Sequence, residues 1–484
     1  MSSRIRRWAL GVPAVFLLFL FGLTEAGLLG PDEPRYASIG REMARSGDWI
    51  TPRLWGEPWF EKPALLYWMT ALGNLARLGP ELAPRLPVAL ASLGFLWFFH
   101  RFLRREFSSD AAFFSTAILA TSAGWLAFSH LAVTDLPMSA CFAAAMLLGM
   151  RWSQTGRRGL LAGAAALLGL AVLAKGLVPL VLSLPLLWLA RKRLREIIQP
   201  LPVLAFLLTA GPWYVLCGWQ HGSEFLGEFF WKHHFARLAE GVIHHTRPFW
   251  FYVPVLLAGL FPWTPLAALL FRRGFFADDR RRFLLIWVVF GFVFFSVAAN
   301  KLPGYLLPLF PAVAVLLGVA LAEVKDARVV LGLCSLMLLA IPLIGGTLPE
   351  ALAAGLSRTK ITGWQWGFAI IFVPMAALVW FWDEIGRRKG AVTLLLAGLV
   401  LCVAFLKIKS LPMVDRVASA RSLWRRIEPV SGEVCVDKVH RSWRYGLNYY
   451  SIQPLPSCEE RRLPYQVRQT PGRPPFVAGL IIGR

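Results

Sequence analysis

The chain is short of charge, and of acidic charge in particular. Charged residues make up 16% of its 484 residues, whereas soluble domains carry about a quarter, and 28 Asp and Glu stand against 51 Lys and Arg. Hydrophobic residues account for 57%. Apolar runs of roughly 20 residues, each long enough to cross the ~30 Å hydrocarbon core of a bilayer, recur from end to end. This composition excludes an ordinary soluble protein and predicts an all-α polytopic membrane protein.

Cysteine is also scarce, and the six cysteines show no CxxC pair and no Cys/His spacing of the kind that holds a metal. Four of them lie in or beside apolar runs, where cysteine behaves as a small core residue (Cys141, Cys217, Cys334 and Cys402). Cys435 and Cys458 share the polar C-terminal tail. If this tail lies outside the cytoplasm, the two can form a disulfide.

The net charge of +23 could suggest a nucleic-acid partner, but the positions of the charges argue against one. Lys and Arg gather in short blocks that lie an even number of apolar runs apart. These blocks are at 4–7, 101–105, 151–158, 191–195, 272–282, 325–328 and 387–389. Such alternation follows the positive-inside rule, so we place these loops and the N-terminus in the cytoplasm.

The apolar runs predict about thirteen transmembrane helices. They lie near 9–27, 85–103, 111–129, 136–151, 159–174, 177–190, 198–217, 250–271, 283–299, 303–322, 328–345, 364–382 and 391–408. The first run has no clean signal-peptide cleavage site, so we expect it to stay as a helix. The short pair around Lys175 could instead be re-entrant, which would change the count by one. An odd count places the C-terminus outside, in the periplasm of a Gram-negative cell.

Two domains are expected from this layout. Residues 1–408 form the transmembrane module, with a long first outer loop at 28–84, and residues 409–484 form a small extracytoplasmic α/β domain. In the tail we interpret "GEVCVD", "GLNYYSI" and "FVAGLII" as β-prone stretches. In the first loop, "YASIGREMARSG" and "KPALLYWMTALGNLARLG" have helical spacing, and tryptophans surround them. These two stretches predict juxtamembrane helices on the outer leaflet.

Isolated charged and histidine side chains recur at the outer ends of the predicted helices. An ionised group inside a bilayer costs on the order of 2.5–3.5 kcal/mol, so such groups normally face a cavity or each other. Besides the adjacent Asp32 and Glu33 of the first loop, the set comprises Glu61, Lys62, Asp135, Lys175, Lys301, His233, His234, His244 and His245. Because all of them map to one side of the membrane, we predict a polar site that opens outward.

The substrates available outside the cytoplasm limit the reactions that such a site can catalyse. No nucleotide-activated donor is available outside the cytoplasm, so a transferase there needs a lipid-carried donor such as a polyprenyl-phosphate sugar. Its phosphate leaving group needs positive charge, which Arg35, Lys62, Lys175 or a metal can supply. A hydroxyl acceptor needs one base such as Asp32, unlike the paired carboxylates of a glycosidase. A transporter or flippase of sugar-linked lipids is the alternative, although it would favour charges at the membrane midplane. A non-catalytic sugar-lipid-binding subunit is a third.

Residues 30–68 resemble the first periplasmic loop of the C-type (GT-C) glycosyltransferases, and in particular the lipid A aminoarabinose transferases and the protein mannosyltransferase-like group. The elements "DEPRY", "GDW" and "FEKPALLYW" occur in the family's order, although Ala64 stands where the family has a second proline. The resemblance continues to about residue 320 through "TDLPM", "AKGL", "GPWY", "KHHFARL", "HHTRPFWFY", "FPWTP" and "NKLPGYLLPLFP". No W-W-D-Y-G motif of the oligosaccharyltransferases is present, so transfer to asparagine is not expected.

The resemblance implies a transferase of the bacterial inner membrane with a periplasmic site. Its donor would be an undecaprenyl-phosphate sugar, and its acceptor lipid A, a glycolipid, a glycan or a protein. Asp32 resembles the catalytic acidic residue and Asp135 the second acidic position. We expect the substrate-binding set to be Glu33, Arg35, Tyr36, Lys62, Lys175, Arg247 and Tyr305. Glu61 and His245 resemble the ligands of a divalent metal, zinc or magnesium, with no clear third ligand.

Overall fold

The structure, a computed structural model, is mainly helical. It describes residues 11–229, 247–355, 359, 367, 369–470 and 473–479. Each of the thirteen predicted spans contains helix. Within these described residues, six helices are long and apolar enough to cross a membrane, or seven if one pair bent by 107° counts as a single span. The chain is therefore a multi-pass membrane protein, and the count of thirteen stays a prediction.

The N-terminal half begins with α1 (Gly11–Leu20), whose second part, Phe16–Leu20, is π-helical. The first outer loop then holds α2 (Asp32–Ser46), a two-stranded ribbon of β1 (Arg53–Leu54) and β2 (Glu57–Pro58), and α3 (Leu65–Leu75). Both predicted juxtamembrane helices are thus present. The bundle continues with α4 (Leu82–Glu106), α5 (Ser109–Thr121), α6 (Ala123–Phe128), α7 (Asp135–Thr155), α8 (Arg158–Lys175), α9 (Val178–Leu182), α10 (Leu184–Leu189), α11 (Leu194–Ile197) and α12 (Pro200–Leu226).

The second half contains more broken helices. Its helices are α13 (Tyr252–Gly259), α14 (Asp279–Val297), α15 (Phe310–Glu323), α16 (Arg328–Met337), α17 (Ile341–Ala354), α18 (Ala369–Glu384) and α19 (Arg388–Lys409), with 3-10 turns at Phe249–Phe251, Thr264–Phe271, Phe275–Ala277, Pro303–Leu309 and Leu338–Ala340. Helix α15 is apolar on every side and buried from Phe310 to Leu321, as expected of a helix at the centre of a bundle.

Helix α4 runs between two layers of buried charge. At 1.5 Å per residue it is about 37 Å long, which exceeds the hydrocarbon core of a bilayer. Arg85, at its start, pairs with Glu33 of the first loop at 2.7 Å. Glu106, at its end, lies 2.9 Å from Arg151 and 3.5 Å from Arg280, which belong to two of the basic blocks. Glu33 and two of the basic blocks are therefore at opposite ends of α4.

The C-terminal segment (residues 410–470 and 473–479) follows α19 and has its own small core. It comprises α20 (Leu411–Ala418), α21 (Ala420–Ile427), a 3-10 turn (Glu428–Glu433), β3 (Val434–Asp437), α22 (Arg441–Ser451), β4 (Tyr465–Arg468) and β5 (Phe476–Ala478). The sheet order is β3-β4-β5, with the first pair parallel and the second antiparallel. Leu423, Val436, Leu447 and Val467 pack together between the sheet and the helices. The disulfide between Cys435 and Cys458 confirms the pairing considered from the sequence.

One β prediction in this segment is wrong. The stretch "GLNYYSI" lies in α22 and ends it, whereas "GEVCVD" does contain a strand. The reason is the spacing of Trp443, Leu447 and Tyr450, which lie three or four residues apart and so share one face of a helix. Trp443 and Leu447 lie in the segment's core, and Tyr450 packs against the same cluster. Strand β4 lies outside the three β-prone stretches.

The C-terminal segment docks on the chain around Gly27, where the first apolar run meets the first outer loop. The amide of Gly27 donates to Asp415 at 2.7 Å, and the amide of Leu28 donates to the Tyr450 hydroxyl at 3.1 Å. Arg421 lies 3.0 Å from Asp415 and donates to the carbonyl of Thr24 at 2.7 Å. A Cβ on Gly27 would lie 2.6 Å from the Tyr450 hydroxyl and 2.7 Å from Arg421, so only glycine allows this approach.

We predict that Gly27→Ala loosens the C-terminal segment. The added methyl overpacks the contact, which typically costs about 1–3 kcal/mol. The melting temperature in detergent should fall, and limited proteolysis should release a C-terminal fragment sooner. Gly94→Ala is the matched control, because Gly94 lies in α4 with nothing within 4 Å of an added Cβ. Equal behaviour of the two variants would contradict the docking contact.

Candidate active site

Helix α2 presents Asp32 and Arg35 on one side of its first turn. Asp32 is the first residue of the helix, where a carboxylate is favourable next to the helix dipole, and Pro34 in the same turn costs no hydrogen bond. Arg35 donates from Nη2 to Asp32 Oδ1 at 2.6 Å and lies 3.0 Å from Glu61 Oε2. The Asp32 side chain is 46% exposed, whereas Arg35 is 8% exposed. A half-exposed carboxylate therefore sits beside a buried cation.

Aromatic rings enclose the Arg35 guanidinium. Its carbon lies 5.3 Å from the ring centre of Tyr36, 5.7 Å from that of Trp59 and 5.4 Å from that of Tyr445, all within the range of cation–π attraction. Burial alone would lower the pKa of Arg35, but the charge of Glu61, with Tyr36 and Asp32, raises it above the ordinary value. The group is therefore a fixed cation.

Glu61 is shared between two cations. Besides Arg35, it lies 3.7 Å from the ammonium of Lys62, and its own side chain is buried. Among the residues that the structure describes, no three His, Cys, Asp or Glu side chains gather where they could hold a metal. His245, the other expected ligand, lies outside the described residues, as do His233, His234 and His244. The described donors therefore do not form a metal site by themselves.

A second ion pair lies at the outer ends of α7 and α8. Lys175, the last residue of α8, donates to Asp135 Oδ1 at 2.6 Å, and Asp135 is the first residue of α7. The Lys175 ammonium also lies 5.1 Å from the ring centre of Tyr305. Gly304 is required here, because a Cβ would lie 2.6 Å from Asp135. The structure thus brings together three of the expected residues: Asp135, Lys175 and Tyr305.

The two clusters lie at the same end of the bundle. The segment that leads into Asp135 touches the first loop, where the amide of Ala132 donates to Glu33 at 3.0 Å. Next to Lys175, Leu173 packs with Phe60 and Ala64, which flank the Glu61-Lys62 pair. Both clusters therefore belong to one region at the same end of the bundle.

Glu33 has a structural position instead of the expected substrate-binding one. Its carboxylate is 1% exposed and accepts two hydrogen bonds from Arg85, at 2.7 and 2.8 Å. The amides of Leu29 and Ala132 donate to the same two oxygens, at 2.7 and 3.0 Å. Four donors use the acceptor positions of the carboxylate. The adjacent acids Asp32 and Glu33 therefore point to different surroundings, and only Asp32 reaches solvent.

Arg247 and Lys301 have other partners than the residues of these ion pairs. Arg247 is exposed, and its guanidinium lies 5.9 Å from the ring centre of Phe251. Among the contacts of the described residues, none joins Arg247 to the two clusters. Lys301 is buried and donates to the carbonyl of Ala298 at 2.6 Å, so it stabilises the turn before the 3-10 helix Pro303–Leu309.

Several residues around Arg35 have no counterpart in the sequence prediction. Trp59 and Tyr445 contact the guanidinium directly, and the ring of Trp55 lies 5.7 Å from that of Tyr445. In the described structure four buried donors of this region have no hydrogen-bond partner. They are Arg35 Nε, Trp55 Nε1, Trp59 Nε1 and the Tyr67 hydroxyl. Buried donors are normally paired, so this region is suited to an anionic or otherwise electron-rich ligand.

An apolar cavity lies beside the second cluster. Its volume is about 290 Å³, and it is lined by Ala123, Gly124, Phe128, Val255, Ala258, Gly259, Pro303, Leu307 and Phe310. Phe128 also contacts Gly304, whose neighbour Tyr305 faces Lys175. A hydrocarbon surface therefore adjoins the charged region.

The fold is shared with ArnT, a protein of known structure. ArnT from Cupriavidus metallidurans bound to undecaprenyl phosphate superimposes with a TM-score of 0.77 at 24% identity, over 99% of each chain. The same protein in the apo state gives a TM-score of 0.75 at 25% identity, over 97% of this chain and 87% of that one. The bundle with a long first outer loop is thus a known architecture.

Comparison of amino-acid sequences also shows similarity to aminoarabinose transferases. Residues 61–215 match the family model described as dolichyl-phosphate-mannose-protein mannosyltransferase. An undecaprenyl phosphate-α-4-amino-4-deoxy-L-arabinose arabinosyl transferase of Pseudomonas fluorescens is 34% identical over 350 residues, which cover 66% of this chain and 58% of the relative. The match thus spans under two thirds of the length of this relative. These findings confirm the resemblance drawn from the motifs.

We predict that the two adjacent acids have separate roles. Glu33→Gln weakens a buried ion pair, and removing one partner of such a pair typically costs about 3–5 kcal/mol. Its melting temperature and yield of folded protein should fall clearly. Asp32→Asn is the matched change one residue away, and its stability should stay within about 1 kcal/mol of the original because its ion pair is half exposed. Thermal unfolding in detergent compares them. A stable Glu33→Gln protein would contradict the structural role of Glu33.

Proposed function

We propose that this chain is an inner-membrane glycosyltransferase that moves a sugar from undecaprenyl phosphate to lipid A on the periplasmic face. The observation that carries the proposal is the buried Arg35 guanidinium. It pairs with Glu61, which is buried, and with Asp32, whose carboxylate is half exposed to solvent. A fixed cation next to unpartnered donors suits a phosphate leaving group. The relatives that this chain matches are named for a donor of that kind.

The name of those relatives also suggests the sugar. We propose 4-amino-4-deoxy-L-arabinose as the group transferred, because the matched transferases are named for that donor. In this proposal the donor phosphate lies near Arg35 and Lys62. The apolar cavity beside Tyr305 is suited to the first part of the polyprenyl chain, since the cavity adjoins the charged cluster of Lys175 and Tyr305.

The reaction is a single displacement at the anomeric carbon, with inversion. An acceptor oxygen forms a new bond to the anomeric carbon while the bond from this carbon to the phosphate oxygen breaks. The electron pair of the broken bond stays with the phosphate oxygen, and undecaprenyl phosphate is the leaving group. Arg35 and Lys62 stabilise the charge that develops on the phosphate. If the acceptor is a hydroxyl, Asp32 takes its proton. If the acceptor is a lipid A phosphate, it is already an anion, and Asp32 then serves to hold Arg35 at 2.6 Å.

The membrane arrangement that we propose has thirteen spans, a cytoplasmic N-terminus and a periplasmic C-terminus. Two observations support it. The ion pairs of Glu106 and those of Glu33 lie at opposite ends of α4, with the basic blocks at the Glu106 end. The disulfide in the C-terminal segment fits an oxidising compartment. Residues 409–484 are in this view a periplasmic α/β domain over the site.

A divalent metal at Glu61 and His245 is retained as a separate proposal that rests on the resemblance alone. The displacement does not require this metal, because Arg35 and Lys62 already neutralise Glu61. We expect metal analysis of the purified protein to decide it: one zinc or magnesium per chain, lost in Glu61→Gln, would support the site. A protein that contains no stoichiometric metal and keeps its activity in chelator would exclude it.

We predict that Asp32→Asn abolishes transfer. If Asp32 is the base for a hydroxyl acceptor, its loss should lower the rate about 10²–10⁴-fold. If the acceptor is a phosphate, Asp32→Asn acts by releasing Arg35 from its ion pair. The assay follows labelled 4-amino-4-deoxy-L-arabinose from undecaprenyl phosphate to lipid A in membranes that contain the purified protein. Glu57→Gln is the control, since Glu57 is an exposed acid of the same loop in β2.

The outcomes separate the functional classes. Transfer by the original protein and the Glu57→Gln control, but not by Asp32→Asn, supports the proposal. Equal transfer by all three would exclude Asp32 from the chemistry. If none of them transfers any of a panel of sugars, while labelled lipid still changes leaflet in vesicles, the flippase alternative replaces the transferase.

A further inference from the structure

Tyr445 brings the C-terminal segment into the candidate active site. It lies on α22, and its ring centre is 5.4 Å from the Arg35 guanidinium carbon. Its other neighbour is Trp55 of the first loop, whose ring lies 5.7 Å away at an angle of 30°. Tyr445 therefore joins an aromatic layer in which the other members, Tyr36, Trp55 and Trp59, all come from the first loop.

This layer restricts the orientation of Arg35. The guanidinium Nη2 is fixed at its edge by Asp32 and Glu61, at 2.6 and 3.0 Å. A long arginine side chain has many rotamers, and edge contacts alone leave its plane free to tilt. The rings of Trp59 and Tyr445 supply further contacts. Two buried donors without hydrogen-bond partners, Arg35 Nε and Trp59 Nε1, belong to this same layer. The geometry of the layer therefore determines where these donors can bind an anion.

Helix α22 is anchored independently of Tyr445. Tyr449 lies one helical turn after Tyr445, on the same face of α22. Its hydroxyl donates to the carbonyl of Pro80 at 2.7 Å, and its ring centre lies 4.3 Å from the guanidinium carbon of Arg41. Arg41 in turn donates to the carbonyl of Tyr449 at 2.8 Å. The helix thus has a separate docking contact, which can be altered as a control.

We infer that Tyr445 is a positioning residue for Arg35, so that the C-terminal segment completes the binding site for the donor phosphate. The inference rests on the proposed function, because it assigns a partner to the group that we propose binds that phosphate. It also gives the C-terminal segment a role in the reaction site beyond covering the bundle. The relevant property of Tyr445 is the face of its ring, since it is the ring that faces the guanidinium.

The test measures the affinity of the full-length protein for undecaprenyl phosphate in detergent, together with KM and kcat for the sugar donor. Tyr445→Leu keeps much of the volume but removes the ring, and we expect Kd and KM to rise about 3- to 30-fold, as for a desolvated cation–π contact. Tyr445→Phe keeps the ring face and should behave like the original protein. Tyr449→Phe removes the docking hydrogen bond to Pro80 and should lower the melting temperature without changing Kd.

A double-mutant cycle separates positioning from general loosening of the segment. In an Arg35→Lys background the planar guanidinium is absent, so Tyr445→Leu should have little further effect on Kd. Additive effects of the two changes would overturn the inference, as would equal losses in Tyr445→Phe and Tyr445→Leu, or unchanged binding in Tyr445→Leu. If the original protein does not bind undecaprenyl phosphate at all, the proposed function fails and this inference fails with it. Binding that is insensitive to Tyr445 removes the inference alone.

Discussion

The buried ion pair between Glu33 and Arg85 determines where everything at the outer end of the bundle lies. All five N–H donors of Arg85 are used: two bonds go to Glu33, and the others go to the carbonyls of Leu23, Ala26 and Gly27. One guanidinium therefore ties the end of the first apolar run, the start of α2 and the start of α4 to each other. Because Glu33 immediately follows Asp32, this pair also fixes the position and direction of the candidate catalytic carboxylate.

The sequence was sufficient to predict the helical bundle and a region of charged side chains at one end of it. Apolar runs and basic blocks alternate strongly, and a charge at a membrane boundary has few stable surroundings, so Arg35, Glu61, Asp135 and Lys175 could be assigned to one end of the bundle. The direction of each side chain could not be predicted. Asp32 and Glu33 look equivalent in sequence, and only the location of Arg85 in α4 distinguishes them.

Contacts distant in sequence account for the other omissions. Tyr445 lies in the tail, and nothing in its neighbours indicates that it meets Arg35. Tryptophan near a membrane surface usually anchors a protein at the interface, yet Trp59 lies against the Arg35 guanidinium and Trp55 against Tyr445. The helix α22 was missed because tyrosine favours strands, whereas the spacing of its buried residues, which decides its packing, is helical.

A charged side chain near the membrane is therefore not by itself evidence of a catalytic role. Cations that bind backbone carbonyls have a structural role and can be distinguished from those that do not. The end of a helix leaves carbonyls without partners, and a bilayer offers little water to satisfy them. Lys407 donates to the carbonyls of Leu17 and Leu18 in the last turn of α1 and to that of Phe21 just after it, at 2.7–2.8 Å, and Arg85 donates to three carbonyls of the turns that follow. These two cations thus cap the end of the first apolar run. Arg35 instead faces carboxylates and aromatic rings, and its buried Nε donor has no hydrogen-bond partner and is available to a ligand. The contrast between capping cations and Arg35 is the physical reason to assign the chemistry to the Arg35 layer.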